Sequence, residues 1–125
     1  MASPIDQDFF ARLRALNDKF EASIPATLAR MRRERLAVEP GVADGEAIVA
    51  LQETLHTIAG SAATFGFRAF GQKARALEQR LRVLRAFGEV PAGDWDRWLG
   101  ALDDYIDWAE LDPKADELPP TSGDQ

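Results

Sequence analysis

The chain has 125 residues, no cysteine and a net charge of −6. This length fits one domain with a modest core, and the lack of cysteine excludes disulfides and thiolate metal sites. No apolar run approaches the roughly 20 residues of a membrane-spanning helix, and the first residues lack the features of a signal peptide. We therefore expect a cytoplasmic protein.

The charge is unevenly distributed along the chain. Residues 110–125 carry −4 and the remainder carries −2. A body that is neutral to acidic argues against nucleic-acid binding, which needs a basic footprint. The one basic cluster, RMRRER at 30–35, is interpreted as the solvated face of a helix rather than a binding patch.

Helical periodicity runs through most of the chain, and no stretch shows the alternation typical of a strand. Ser3 and Pro4 fit an N-cap followed by proline at the first helical position. Pro25 predicts a break, because a proline ring blocks a helical hydrogen bond. The apolar spacing therefore predicts helix A over about 5–21 and helix B over about 24–37.

Three more amphipathic helices follow, separated by the loops EPGVADG and GEVPAGD. Helix C begins near Gly45 and ends or loosens at Gly66. Helix D starts at Phe67 and stops at Gly88, and helix E has Asp94 as its N-cap. Phenylalanines and tryptophans at helical spacing are assigned to the core.

Five amphipathic segments with short connections predict an all-α fold. Helices B to E form an antiparallel four-helix bundle, and helix A is an additional N-terminal helix. We expect this bundle to occupy residues 1–109. Residues 110–125, which are acidic and contain prolines, are predicted to be a disordered tail or linker.

His56 is the only histidine, and it lies in the stretch LHTIAGSAATFGF. At about 100° per residue, the apolar face of helix C is centred about 120–130° away, so the imidazole points outward. Its own strip holds small or uncharged residues: Val49, Gln52, Gly60 and Ala63. A merely solvated face would carry charged residues, and glycine within a helix costs about 1 kcal/mol relative to alanine. This strip is therefore a predicted partner-docking surface.

The surroundings of His56 argue against two common kinds of site. One histidine without cysteine is a poor ligand set, so no metal is expected. Ser61 lies about 140° from His56 around the helix, so the two do not form a hydrolytic pair. Two interpretations remain. His56 is a nucleophile or group carrier on which a partner docks, or the chain is a plain helical interaction domain with an incidental histidine.

The motif HTIAGSAATFGF resembles the signature of histidine phosphotransfer (Hpt) domains, including the phospho-acceptor domain of chemotaxis-type histidine kinases. That signature is roughly a histidine, two residues, a lysine and a glycine, followed by small residues and a Phe/Leu-Gly pair. The matching residues are His56, Gly60, Ser61, Ala62, Phe65 and Gly66. The order of helices is similar over about residues 5–109.

The resemblance implies roles for three residues. His56 matches the phospho-accepting histidine, and Gly60 matches the glycine that lets a receiver domain approach. In chemotaxis-type members a glutamate on the next helix orients the imidazole, and Glu78 has that spacing. A carboxylate that accepts a hydrogen bond from Nδ1–H leaves Nε2 as the nucleophile.

Ala59 departs from the family pattern, because it stands where the family usually has its lysine. That lysine offers positive charge near the phosphoryl group. Arg75, Lys73 or Arg68 on helix D could replace it, or the partner could supply the charge.

The resemblance implies a phosphorelay intermediate in bacterial two-component signalling. His56 would accept a phosphoryl group and pass it to or from an aspartate of a response-regulator receiver domain. The expected partners are a receiver domain, a histidine kinase or both, with no nucleic acid and no membrane, and the chain is expected to be a monomer. It has neither GxxxxGK[ST] nor GxGxxG, so no ATP site of its own is expected. No cofactor is expected either, since Mg²⁺ would lie in the receiver. The alternative is a degenerate Hpt domain that docks a receiver or kinase without carrying phosphate.

Overall fold

The computed structural model describes residues 4–39, 42–87 and 90–115. These ranges contain four helices, α1 (Pro4–Leu36), α2 (Glu46–Ser61), α3 (Arg68–Ala86) and α4 (Ala92–Leu111). A 3₁₀ turn, Ala62–Phe65, joins α2 to α3, and the described ranges contain no strand. The predicted all-α helical bundle is confirmed.

The four helices enclose one core. Each helix packs against the next along the chain, and α4 closes the bundle onto α1. The largest fully buried side chains come from all four helices and the segment before α3: Trp98, Phe67, Phe70, Met31, Ile48, Leu51, Leu55, Leu81, Leu102 and Ile106. Assignment of most aromatic residues to the core is thereby confirmed, although Phe9, Phe10 and Phe87 are exposed.

Two buried aromatic side chains have their polar atoms satisfied inside this core. The Trp98 indole N–H donates to the Leu77 carbonyl oxygen at 3.0 Å. The Tyr105 hydroxyl donates to the Phe70 carbonyl oxygen at 2.8 Å, and burial raises the pKa of this phenol. Both bonds tie α4 to α3, which places the helix that carries Glu78.

The predicted break between helices A and B is wrong, because α1 is continuous with Pro25 inside it. A proline within a helix costs about 3 kcal/mol. Packing on both sides of Pro25 offsets this cost: Phe20 stacks on Phe65, while Ile24 and Leu28 are buried. The additional N-terminal helix is therefore the first half of α1.

The first half of α1 extends its apolar stripe beyond the buried part of the bundle. Phe9, Phe10 and Leu16 are 59%, 56% and 52% exposed, and Ile24 is the first buried residue that follows them. The core thus depends on the second half of this helix.

We expect Leu28→Ala to lower the free energy of unfolding by about 2–5 kcal/mol, because it leaves a cavity in the core. Phe9→Ala should change it by about 0.5 kcal/mol or less, as is usual at an exposed position. Chemical denaturation of both variants measures this difference. Equal destabilisation would show that the first half of α1 is also packed in the folded protein.

Part of the basic cluster at 30–35 connects α1 to α4. Arg32 donates to Asp107 and Glu110, and Arg35 donates to Asp103. The hydrogen bonds from Arg32 hold the pKa of the Glu110 carboxyl below its usual range. The prediction of a simply solvated face is therefore incomplete, although partly exposed pairs of this kind contribute little to stability.

The connection between α2 and α3 brings these helices close together. Gly66 has a φ of 89°, in the left-handed region that favours glycine, and it ends the 3₁₀ turn. A Cβ atom on Gly71 would lie 3.1 Å from the Ala62 Cβ, so glycine permits this close approach. The residues after His56 thus lie directly against the first turns of α3.

Several predicted boundaries differ from the observed ones. Asp94 lies in the first turn of α4, whose N-cap is Pro91. Gly88 lies outside the described residues. The helix continues past residue 109 to Leu111, and a turn follows. The structure thus describes residues 110–115 of the predicted disordered tail. Residues 116–125 lie outside the described residues, so disorder there stays a prediction. Within the described ranges, no helix is long and apolar enough to cross a membrane.

Candidate functional site

His56 lies on the outer face of α2, and its side chain is 67% exposed. On the opposite face of the same helix, Leu55 and Ile58 are buried in the core. The outward orientation predicted from helical periodicity is confirmed. The imidazole is therefore accessible to a second protein, while the helix that carries it is anchored by its apolar face.

Glu78 of α3 is the hydrogen-bond partner of this imidazole. Its Oε2 atom lies 3.0 Å from His56 Nδ1. The Glu78 side chain is only 6% exposed, so α3 holds it below the surface on which His56 stands. An ionised carboxylate can only accept, so in the neutral ring that bonds to it Nδ1 carries the proton and Nε2 keeps its lone pair. In that tautomer Nε2 is the basic nitrogen of the ring.

Arg82, one turn further along α3, also binds Glu78. Its Nε and Nη2 atoms donate to the same Oε2 at 3.1 and 2.8 Å. A buried carboxylate without a partner is strongly unfavourable, so the guanidinium offsets the burial of Glu78. Arg82 was not predicted from the sequence, although the four-residue spacing of glutamate and arginine on one helix was a signal for this pair.

A family model described as the Hpt domain matches residues 8–109. The chain belongs to the Hpt domain family. The match contains all of α2 and α3 and nearly all of α1 and α4, with His56 inside it. Comparisons with curated proteins and with solved structures gave no match.

Hpt domains are phosphocarrier modules of two-component signalling. They have no ATP site of their own, and they interact with receiver domains and kinases. This role needs an accessible imidazole on a stable support, which is the arrangement of His56 on α2.

The three candidates for a replacement of the family lysine occupy different places on the Hpt domain. Arg75 Nη2 donates to the Ala59 carbonyl oxygen at 3.2 Å, so its guanidinium reaches α2 at the position of the missing lysine. Lys73 Nζ instead lies 5.2 Å from the centre of the Trp108 ring, on the side of α4. Arg68, the first residue of α3, is exposed.

The four residues of the predicted docking strip do not form one exposed surface of α2. Gly60 is exposed, and a Cβ placed on it would meet nothing within 4 Å. Val49 and Gln52 are half-buried, and the Gln52 side chain accepts a hydrogen bond from Arg85. Ala63 is exposed but lies in the 3₁₀ turn, because α2 ends at Ser61.

The hydroxyl group of Ser61 is bonded within its own helix. It donates to the Thr57 carbonyl oxygen at 2.8 Å. In the part of the chain that the structure describes, no group of three or more His, Cys, Asp or Glu side chains is placed to hold a metal ion.

Proposed function

We propose that this Hpt domain is a phosphorelay intermediate whose phosphoryl carrier is His56. The observation that carries the proposal is the hydrogen bond between His56 Nδ1 and the buried carboxylate of Glu78. This bond fixes the tautomer and the orientation of an otherwise exposed ring. An incidental surface histidine needs neither.

The transfer follows from this tautomer. The Nε2 lone pair attacks the phosphorus of an aspartyl phosphate on a receiver domain. The N–P bond forms while the P–O bond to the aspartyl carboxylate breaks, and the electron pair stays on that carboxylate. The proton on Nδ1 remains there, so the phosphorylated ring carries positive charge beside Glu78, which stabilises it. The reverse sequence passes the group to the aspartate of another receiver, and Mg²⁺ belongs to the receiver.

Arg75 is the best placed replacement for the lysine that Ala59 lacks. Its hydrogen bond to the Ala59 carbonyl oxygen keeps a guanidinium within one helical turn of His56. Lys73 instead contacts α4, where its Nζ lies over the Trp108 ring. We assign to Arg75 the positive charge that faces the transferred group.

A second candidate function rests on Ala59 itself. Without the family lysine, the domain could dock a receiver or kinase in the cytoplasm and carry no phosphate. The two functions differ in one observable property, which is the formation of phosphohistidine.

The test is phosphoryl transfer with purified bacterial receiver domains, each labelled in advance on its aspartate. The proposed function predicts that at least one receiver transfers label to the Hpt domain, and that the label is lost in acid, as expected of phosphohistidine. Binding of a receiver without any transfer of label would instead support the degenerate domain. Acid-stable label would overturn the assignment of histidine as the acceptor.

Gly60→Leu is expected to weaken receiver binding at least tenfold, because the added side chain fills space that the partner approaches. It should not disturb the fold, since a Cβ there meets no neighbour. Helix stability should rise by about 1 kcal/mol or less. Titration of the receiver, combined with thermal unfolding, measures both effects.

Gly100→Leu is the matched control for this prediction. Gly100 lies within α4, and a Cβ there also meets nothing within 4 Å. The control should gain similar stability and keep its affinity for the receiver. Equal affinity of both variants would show that the surface around Gly60 is not the docking surface.

A further inference from the structure

The charge of α3 differs sharply from that of the rest of the chain. This helix carries six basic residues, Arg68, Lys73, Arg75, Arg80, Arg82 and Arg85. Its one acidic residue is the buried Glu78, so α3 has a net charge of +5 in a chain of −6. Helix α4, by contrast, has six acidic residues and one basic residue. The positive charge of the bundle is thus concentrated beside the helix that carries His56.

Two arginines of α3, Arg75 and Arg85, reach across to α2 or to the residues before it, and Arg82 binds the carboxylate on α3 that contacts His56. We name these three residues the arginine edge. Arg75 contacts the Ala59 carbonyl oxygen, and Arg82 contacts the carboxylate that binds His56. Arg85 donates to the Ala43 carbonyl oxygen at 2.8 Å and to the Gln52 side chain. The arginine edge therefore runs alongside α2 from residue 52 to residue 59.

Among the described residues, two of the three guanidinium groups on this edge, those of Arg75 and Arg85, form no salt bridge. Glu78 offsets one guanidinium, that of Arg82. The described contacts of Arg75 and Arg85 are with neutral oxygen atoms. The exposed acid of α2 nearest to His56 in sequence, Glu53, lines a groove on the α1 side together with Arg30 and Glu34.

Two other basic residues of α3, Lys73 and Arg80, lie on sides of the helix that do not face α2. Lys73 is held over Trp108 of α4. Arg80 is exposed, and it lies about 140–160° around the helix from Arg75 and Arg82. The chain thus offers an arginine of the same helix that is not part of the arginine edge.

We propose that the receiver domain served by His56 presents an acidic surface to the arginine edge, and that this charge pairing steers their association. The proposal rests on the proposed function, because it names the partner of the same site. Opposite charges around a docking site raise the association rate by about tenfold to a thousandfold, and salt removes this gain. At 0.1 M salt the screening length is already about 10 Å.

The experiment uses the full chain and the receiver that accepts label fastest from its phosphohistidine. Potassium phosphoramidate, a small donor that needs no docking surface, loads His56 beforehand. The transfer kcat/KM is then measured for the parent, Arg85→Glu and Arg80→Glu, each at low salt and at about 0.5 M salt. Arg85→Gln, which retains a hydrogen-bond donor for Ala43, is the second variant should Arg85→Glu not fold.

We expect Arg85→Glu to lower kcat/KM at low salt about fivefold to tenfold, through KM with little change in kcat. The loss should fall below about twofold at high salt, and Arg80→Glu should remain within about twofold of the parent throughout. Arg85→Gln should give about half the effect on a logarithmic scale, because it removes one charge rather than reversing it.

Two results would overturn the inference while the proposed function stands. One is a transfer rate of the parent that does not change with salt, and the other is an equal loss in Arg85→Glu and Arg80→Glu. A domain that takes label neither from phosphoramidate nor from any receiver would refute the proposed function, and this inference would fall with it.

Discussion

His56→Gln is expected to fold like the parent and to accept no phosphoryl group. The side chain is 67% exposed and makes no part of the core, so its replacement leaves the packing of α2 intact. Arg82 continues to hold the Glu78 carboxylate in the variant, which avoids an unpaired buried charge. We therefore expect a free energy of unfolding within about 1 kcal/mol of the parent.

The measurement is acid-labile label after incubation with labelled receivers, together with circular dichroism and chemical denaturation. The chain has one histidine, so no second imidazole can take over. Thr57→Gln, an exposed neighbour on α2, is the matched control and should still take up label. Acid-labile label on His56→Gln would refute the assignment of the acceptor.

Helical periodicity was enough to predict the bundle, because buried faces repeat along α2, α3 and α4 with the period of a helix. It failed at Pro25 for a physical reason. The cost of proline in a helix is local and visible in the sequence, whereas the packing of Phe20, Ile24 and Leu28 that offsets it depends on the other helices. Tertiary contacts decided whether α1 is one helix or two.

The exposure of His56 could be predicted from the periodicity of its own helix, but the identity of its hydrogen-bond partner could not. Nothing within α2 indicates which residue of α3 lies opposite, so the pairing with Glu78 was implied only by the family resemblance. The structure places these two side chains together, 22 residues apart in sequence. The same limit applies to Arg85, whose partners Gln52 and Ala43 lie on and before α2.

Two other features could have been predicted from helical geometry. Arg82 follows Glu78 by four residues, a spacing at which opposite charges meet on one face. Lys73 is about 140° from Glu78 around α3, so this lysine could have been placed on the far side. Ala63 is a different case, because the change from α-helix to 3₁₀ turn depends on the close packing of Ala62 against Gly71.

Glu78→Gln is expected to slow the phosphorylation of His56 about tenfold to a hundredfold while the fold is retained. The amide oxygen can still accept a hydrogen bond from Nδ1–H, so the ring keeps a partner. The variant lacks the negative charge that stabilises the ring once Nε2 has bonded to phosphorus. A tenfold loss corresponds to about 1.4 kcal/mol of transition-state stabilisation.

Glu53→Gln is the matched control, since it removes the same charge from α2 without touching His56, and it should stay within about twofold of the parent. The rate of label uptake from phosphoramidate separates this effect from receiver docking. The ¹⁵N shifts of the ring in unphosphorylated protein report the tautomer, and we expect the Nδ1–H form to be less dominant in Glu78→Gln than in the parent. A variant with the parent's rate and tautomer would show that Glu78 merely fills space beneath the ring. A lower rate with an unchanged tautomer would assign its effect to charge alone, because the carboxylate would then act on the phosphorylated ring and not on the orientation of the free one.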